Sequence, residues 1–345
     1  MSKKQLQVAI AGFGLSGRYF HAPFLGASPD KFAIKKVVSS RPEYVRAYDE
    51  AIEVVPHFEE VCRSGIDIVF VCTPNEFHFT HAKMALEAGK NVVLEKPFAL
   101  NTQQAETLIN IAQANDLVLT AYQNRRWDAD FLTIQRLIAE DRLGEIIDYE
   151  ARFDRYRPDV PHGTWKETPK DGAGNLYNLG PHLADQALTL FGTPKSVSAT
   201  IRTVRMGALT DDYFEIRMEY RNKRVSLKSS LLVYENSLRY AIHGTKGSFF
   251  KTGLDVQEAD LRANKLPNGE GWGVEAAGQF GMLYSDAFTG AYPSEAGNYT
   301  PFYDNLYDAV VHRTPLHIKP RNAWNTTRVI DLAIESNRLG QALRF

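Results

Sequence analysis

The chain has 345 residues, 44% of them apolar and 23% charged, enough for two globular domains and too apolar for a disordered chain. Forty Lys and Arg against 41 Asp and Glu leave a formal net charge of −1, so no large field draws in nucleic acid or an anionic membrane, and a small molecule is the expected partner. Cys62 and Cys72 lack paired spacing and argue against a disulfide scaffold; the opening apolar stretch covers only Val8 to Ala11, no run is long enough to cross a bilayer, and a cytoplasmic protein is expected.

From position 7 to about 121, short β-branched runs alternate with amphipathic helical stretches, the rhythm of a parallel sheet with crossover helices. Strands are read at VAIAG from Val8, AIKKVVS from Ala33, IDIVFVC from Ile66, NVVLE from Asn91 and LVLTA from Leu117. Helical spacing marks the stretches beginning at Phe77 and Asn101, the first closed by Gly89 and the second opened by Asn101 or Thr102. After Ala121 the rhythm changes. A helix over 129–140 precedes strands at 146–156, 196–205, 213–220, 224–233 and 239–243, with turn signals at 221–222 and 244–247, which predicts a largely antiparallel sheet. Residues 265–301, rich in Gly, Asn and Pro, are read as long loops, and helices at about 302–311 and 322–339 are expected to pack back on the body. The expected class is α/β: a Rossmann dinucleotide-binding domain over 1–122, and over 123–345 an α+β domain with a mostly antiparallel sheet, serving substrate binding and oligomerisation.

Gly12-Phe13-Gly14-Leu15-Ser16-Gly17 follows directly on the first strand and opens a helix. In that setting Gly12 permits the tight turn, Gly14 lets the backbone approach a pyrophosphate, and Gly17 allows close packing of helix on sheet. Leu15 and Ser16 stand where a helix start offers N–H groups to phosphate, so a nicotinamide dinucleotide is the expected cofactor. The second strand runs out in Ser39-Ser40-Arg41, where an NAD-specific domain places an acid on the ribose 2′-hydroxyl. Two hydroxyls and a guanidinium suit a 2′-phosphate instead, which arginine binds in bidentate fashion. NADP is therefore expected; NAD is the alternative, with Arg41 a solvated charge and Glu43 serving the ribose.

The strand NVVLE ends in Glu95-Lys96-Pro97, at the carboxyl edge of the sheet where open α/β folds bind ligands. Together with the glycine loop, Cys72-Thr73-Pro74-Asn75 followed by His78, Ala88-Gly89-Lys90, and the run from Gly172-Ala173-Gly174 to His182-Leu183-Ala184-Asp185, this turn makes the chain resemble the glucose–fructose oxidoreductase and inositol dehydrogenase family over nearly its full length. The segments at 122–128, 153–158 and 179–182 are similar to its bacterial branch containing NADP-dependent scyllo-inositol dehydrogenases. The resemblance implies a two-domain oxidoreductase acting on a cyclitol, sugar or related polyol, assembled as a homodimer or homotetramer through the second-domain sheet. It also implies a cis proline in the Glu-Lys-Pro turn. Cofactor contacts are implied for Thr73, Pro74, Asn75, Glu95, Lys96 and Asn124, with His78 near the nicotinamide end and Trp165-Lys166 matching a Trp-Arg pair that some relatives place near NADP.

Oxidising a secondary alcohol requires a base within hydrogen-bond reach of the hydroxyl, and Lys96 and His182 are the candidates. A lysine beside an oxidised nicotinamide and partly out of water loses basicity, while histidine begins in the useful range. By resemblance Lys96 bonds the reacting oxygen and His182 exchanges the proton. The family usually has an aspartate four residues before this histidine; Asn178 stands there, able to hydrogen-bond a substrate hydroxyl but not to hold negative charge. Read without the family, His182 is a helix-start histidine and Asn178 caps the helix that follows. Tyr156 joins Lys96, Asn178 and His182 as a substrate contact, amid the polar and aromatic residues Arg126, Trp127, Arg155 and Arg157. A second function class is a dinucleotide-sensing binding protein with weakened or lost catalysis; Lys96 and His182 favour the enzyme, Asn178 the sensor. His78 and His81 lack a third ligand at metal-site spacing, and no metal is expected.

Overall fold

The computed structural model describes residues 4–63, 65–161, 163, 167–235 and 237–345. Its chain divides into two compact units, the first comprising the chain up to Asn124 with Gln257–Trp272 and Asn298–Trp324, the second Arg125–Val256, Gly273–Gly297 and Asn325–Phe345.

The first unit is built on β1 (Leu6–Ala11), β2 (Phe32–Val38), β3 (Glu53–Val55), β4 (Ile68–Val71), β5 (Asn91–Leu94) and β6 (Leu119–Ala121), paired in parallel in the order β3-β2-β1-β4-β5-β6. This is the doubly wound order, with its switch point between β1 and β4. All four residues of β4 are buried, as a central parallel strand covered on both faces requires. Helices α1 (Ala22–Gly26), α2 (Pro42–Arg46), α3 (His78–Glu87) and α4 (Thr102–Ala114) provide the crossovers. The Asn101 side chain accepts from the Gln104 N–H at the start of α4, the capping its sequence predicts. The strand β3 escaped the sequence reading because three residues are too few to display alternation.

The second unit contains α5 (Ala129–Ala139), α6 (Gly174–Phe191) and, among the described residues, a nine-stranded sheet. Its strands are β7 (Ile146–Arg152), β8 (Ser196–Arg202), β9 (Tyr213–Glu219), β10 (Arg224–Ser230), β11 (Leu238–Gly244), β12 (Gly247–Thr252), β13 (Gly281–Ser285), β14 (Thr289–Tyr292) and β15 (Leu343–Arg344), in the order β14-β13-β12-β11-β7-β10-β9-β8-β15. All neighbours are antiparallel except β7 and β10. One face of the sheet supplies Tyr149, Ile216, Met218, Leu227, Ile242 and Phe249 to a core that α6 completes with Leu176, Leu179, Leu183 and Ala187. Those four recur at helical spacing, which is why α6 lies along the sheet.

Three readings are corrected here. The region read as loops, 265–301, holds β13 and β14 and extends the sheet; its strands are four and five residues long and flanked by turn formers, so composition hid them. The helix expected to begin near His182 begins at Gly174, placing Asn178 and His182 inside it, with Pro181 also within. The strand from Ile146 stops at Arg152, and Tyr156 lies beyond it in an isolated bridge to Leu232.

Two further helices, α7 (Gln257–Arg262) and α8 (Thr300–His312), return to the first unit, where Tyr303 stacks on Phe24 with centroids 5.1 Å apart. The last helix is α9 (Pro320–Leu339). No helix among the described residues is long and apolar enough to cross a membrane.

Candidate active site

The glycine loop leaves β1 with Gly12 at φ +97°, and a Cβ there would stand 2.6 Å from the Cys72 carbonyl oxygen. At Gly17 a Cβ would meet the Gly12 carbonyl oxygen at 2.2 Å, so both positions exclude any larger residue. Gly14 faces open space, the room that a pyrophosphate approaching the backbone needs. Leu15 is exposed and Ser16 half-buried; the helix they open runs as a π-helical stretch, Ser16–His21, before α1. The loop thus fits the dinucleotide its sequence implies.

At the end of β2, Ser39 is half-buried and Ser40 and Arg41 are exposed. The Ser39 hydroxyl accepts from the Arg41 N–H at 3.0 Å, which leaves its own proton for a ligand. Tyr44, on α2, is flanked by two guanidiniums, Arg41 at 4.9 Å and Arg18 at 5.2 Å from its ring centroid. Sequence reasoning missed Arg18 and Tyr44; the available signal was that Arg18 follows the last loop glycine and Tyr44 lies one turn beyond Arg41. Glu43 is exposed on the same helix. Arg41, Ser39 and Ser40 at the strand end and Arg18 across Tyr44 make a corner of two cations and two hydroxyls.

On the other side of the switch point, Thr73 and Pro74 are half-buried and Asn75 is buried. Thr73 pairs its hydroxyl with His81 Nδ1 at 3.1 Å, and His81 stacks between Phe58 and Phe77. Burial and the neighbouring His78 push His81 down to about 4, so its ring is neutral at ordinary pH. His78 is buried with Nε2 2.8 Å from the Thr73 carbonyl and Nδ1 2.8 Å from the Pro97 carbonyl. Its ring therefore ties the Thr73 loop to the Glu-Lys-Pro turn. Both partners are acceptors, whereas burial lowers the pKa of His78 and favours a neutral ring with a single N–H, which serves one carbonyl at a time. Lys96 is half-buried, and the Lys96–Pro97 bond is cis. Glu95 is buried, accepting from Ser16 Oγ and from the Lys96 main-chain N–H. Asn124 is buried at the start of a 3-10 turn, Asn124–Trp127.

In the second unit, Asn178 and His182 lie four residues apart on α6 and so share a face. His182 is buried, its ring 6.2 Å from Phe153, and Asn178 is half-buried. The next turn is locked: Asp185 accepts both N–H groups of Arg126 at 2.7 Å, and Gln186 donates to the Arg125 carbonyl while accepting from Arg239 and Tyr240. Arg126, grouped by sequence with possible ligand contacts, is thus engaged in holding α6. At the start of α6, Asp211 accepts from the Leu176 N–H at 2.6 Å. Tyr156 is exposed and lies 4.6 Å from Tyr234, ring to ring. Trp165 and Lys166 lie outside the described residues. Arg205 donates to the Asp159 carbonyl at 3.2 Å and to both Glu167 oxygens at 2.9 Å. Among the described residues, no group of three or more His, Cys, Asp and Glu could hold a metal ion.

Residues 6–123 match the model of an oxidoreductase family described as an NAD-binding Rossmann fold, GFO/IDH/MocA, and residues 135–344 match the α/β C-terminal domain of the same family. The chain belongs to the GFO/IDH/MocA oxidoreductase family. Within the family it is 38% identical to the scyllo-inositol 2-dehydrogenase (NADP(+)) IolW of Bacillus subtilis, over 96% of this chain and 94% of that one. A D-glucoside 3-dehydrogenase of Escherichia coli is 32% identical over 58% of each chain. Among solved structures, a putative oxidoreductase, yvaA of Bacillus subtilis, superposes with a TM-score of 0.96 at 36% identity, covering 100% of this chain and 99% of that one. One from Bacteroides fragilis gives 0.90 at 39%, covering 99% and 100%. GFO/IDH/MocA membership makes the chain a nicotinamide-dependent dehydrogenase or reductase acting on CH–OH groups.

Proposed function

We propose that the chain transfers a hydride between NADP and a hydroxyl or keto carbon of a cyclitol, sugar or related polyol. The observation that carries the cofactor choice is the corner formed by Arg18, Tyr44 and Arg41 beside Ser39 and Ser40. Its two cations match the two negative charges of a 2′-phosphate, and planar guanidiniums can each offer paired N–H donors. The substrate class is supported by the likeness to a scyllo-inositol dehydrogenase and, over part of the chain, to a glucoside dehydrogenase.

When bound, the nicotinamide supplies the hydride acceptor or donor. The remaining chemistry falls to side chains. In the oxidative direction the alcohol's hydroxyl proton goes to His182, while Lys96 donates a hydrogen bond to the same oxygen and steadies the charge that develops there. Asn178 hydrogen-bonds a neighbouring hydroxyl of the substrate; as an amide it gives no electrostatic support to a protonated His182. The working form is a homodimer or homotetramer, which light scattering of the purified chain measures.

Reduced-cofactor absorbance across a panel of inositols and sugars, with NADP and with NAD, tests the reading. Turnover with NADP in preference to NAD is expected, and Arg41→Ala and Arg18→Ala should each lower kcat/KM for NADP about tenfold, the worth of one charge-assisted contact, while leaving NAD nearly unchanged. Tight NADP binding without turnover on any member of the panel would overturn the polyol assignment, and an unaltered NADP preference in both variants would overturn the role of the corner.

A further inference from the structure

Behind Lys96, wholly within the first unit, runs a chain of polar groups that the reaction as described does not use. The buried Glu95 carboxylate accepts from three donors: Ser16 Oγ, His21 Nε2 at 3.1 Å and the Lys96 main-chain N–H at 3.1 Å. His21 is fully buried, with its Nδ1 3.0 Å from Tyr303 Oη, and that hydroxyl is 2.7 Å from the Phe20 carbonyl oxygen. The Phe20 carbonyl only accepts, from Tyr303 at 2.7 Å and more weakly from Tyr122 Oη at 3.4 Å, and Tyr122 also bonds Tyr303; a 2.7 Å contact between two oxygens needs the Tyr303 proton between them, so the tyrosine oxygen accepts from Nδ1–H. The other ring nitrogen faces a carboxylate and donates as well. Both nitrogens donate only in an imidazolium, and such a charge is tolerated in a dry interior when a paired anion lies in contact with it.

The surroundings fit that pairing. Burial by itself raises Glu95, yet hydrogen bonds from His21 and Ser16 and the charges of His21 and Lys96 outweigh it and hold the carboxyl below its ordinary range. The other groups packed around the ring are Tyr303 from α8, Tyr122 after β6 and Phe70 from β4, with Cys72 next to Glu95. Burial raises Tyr303 and Cys72 well above their ordinary values, so both stay neutral. The Ser16 hydroxyl, its proton committed to Glu95, shows a cofactor only lone pairs; it can accept from a ribose hydroxyl and would repel a phosphate.

We propose that His21 is a positioning residue: paired as a cation with Glu95 and braced by Tyr303, it fixes the Ser16 hydroxyl as an acceptor toward the cofactor and sets the main chain of Lys96, coupling the glycine loop to the reacting centre. The proposal rests on Lys96 contacting the reacting oxygen. Its test therefore uses readouts that need no substrate.

In the full chain labelled with 15N-histidine, the His21 ring signals, assigned by their loss in His21→Gln, should report two protonated nitrogens in the folded protein. A single unprotonated ring nitrogen overturns the charge pair. His21→Leu leaves Glu95 buried without its cation, so burial is no longer outweighed and raises the carboxyl, and in its protonated form it loosens its hold on Ser16. NADPH affinity, read by fluorescence titration, should then fall roughly tenfold at about pH 6 and recover most of that loss by about pH 8.5, with His21→Gln, which keeps an N–H toward Glu95, close to the parent. A loss of equal size at every pH, or none, in variants whose circular dichroism matches the parent overturns the positioning role. If the charge pair and the pH-dependent affinity are found but no polyol turns over, the substrate assignment fails and the role of His21 stands.

Discussion

The helix that carries Asn178 and His182 begins against a carboxylate from another part of the chain. Asp211, half-buried, accepts the Leu176 N–H at 2.6 Å, and Gly174 sits so close to it that a Cβ would stand 1.9 Å from Asp211 Oδ1. Burial raises Asp211 from 3.8 to about 6, opposed by the N–H groups of Leu176 and Asn175 and reinforced by Asp212. The sign follows from proton counting. Below about pH 4 the folded and unfolded chains both hold the proton; as the pH rises, the unfolded chain releases it first and gains stability relative to the fold, until the folded carboxyl has ionised as well at about pH 6. The shift corresponds to at most about 3 kcal/mol lost across that window, less what the water-facing part of the carboxylate screens. Asp211→Asn keeps an oxygen for the Leu176 N–H and abolishes the titration. Urea unfolding followed by tryptophan fluorescence should find the variant about 2 kcal/mol more stable than the parent at pH 7.5 and nearly equal to it at pH 4. A variant weaker than the parent by the same amount at both values would refute the reasoning, since the ionised cap would then hold the helix better than burial penalises it.

Gly17→Ala, which puts a methyl 2.2 Å from the Gly12 carbonyl oxygen, should abolish measurable NADPH binding while leaving far-UV dichroism intact, or destabilise the chain by about 3 kcal/mol; either is read by fluorescence titration and thermal melting. Asn178→Asp supplies the negative charge that the amide lacks beside His182 and should change turnover on the substrate panel, with a large gain if the amide weakens proton exchange and a loss if the amide is a substrate contact that a carboxylate repels. Arg205→Leu removes the guanidinium that donates to the Asp159 carbonyl, Asp212 and Glu167, leaves both carboxylates without that cation, and should cost about 3 kcal/mol or more in urea unfolding.

What could be read from the sequence was what a single residue type can enforce. Gly12 and Gly17 are imposed by backbone atoms only ångströms away, so the loop announces itself by composition. The apolar runs of β1 and β4 do the same for a sheet covered on both faces. The contacts that escaped are pairings between distant positions. His21 meets Glu95 across 74 residues and Tyr303 across 282, and neither residue carries a local pattern that predicts the other. Arg18 acquires meaning only when α2 brings Tyr44 beneath it. Asp211 caps α6 from 35 residues downstream, so a local rule placed the helix start too late and gave Asn178 the capping role. The strands β13 and β14 were hidden for a different reason: each is only four or five residues long, and each takes its order from the strand before it, β13 from β12 and β14 from β13.

Asp185 and Gln186 grip α6 from several sides, through Arg126, the Arg125 carbonyl, Arg239 and Tyr240. A helix held in this way cannot roll about its own axis. The direction in which positions 178 and 182 project is therefore independent of the side chain that occupies 178. A substitution there changes the chemistry offered to a ligand without changing its aim, and such a scaffold can move from one hydroxylated substrate to another through single replacements on a fixed bearing.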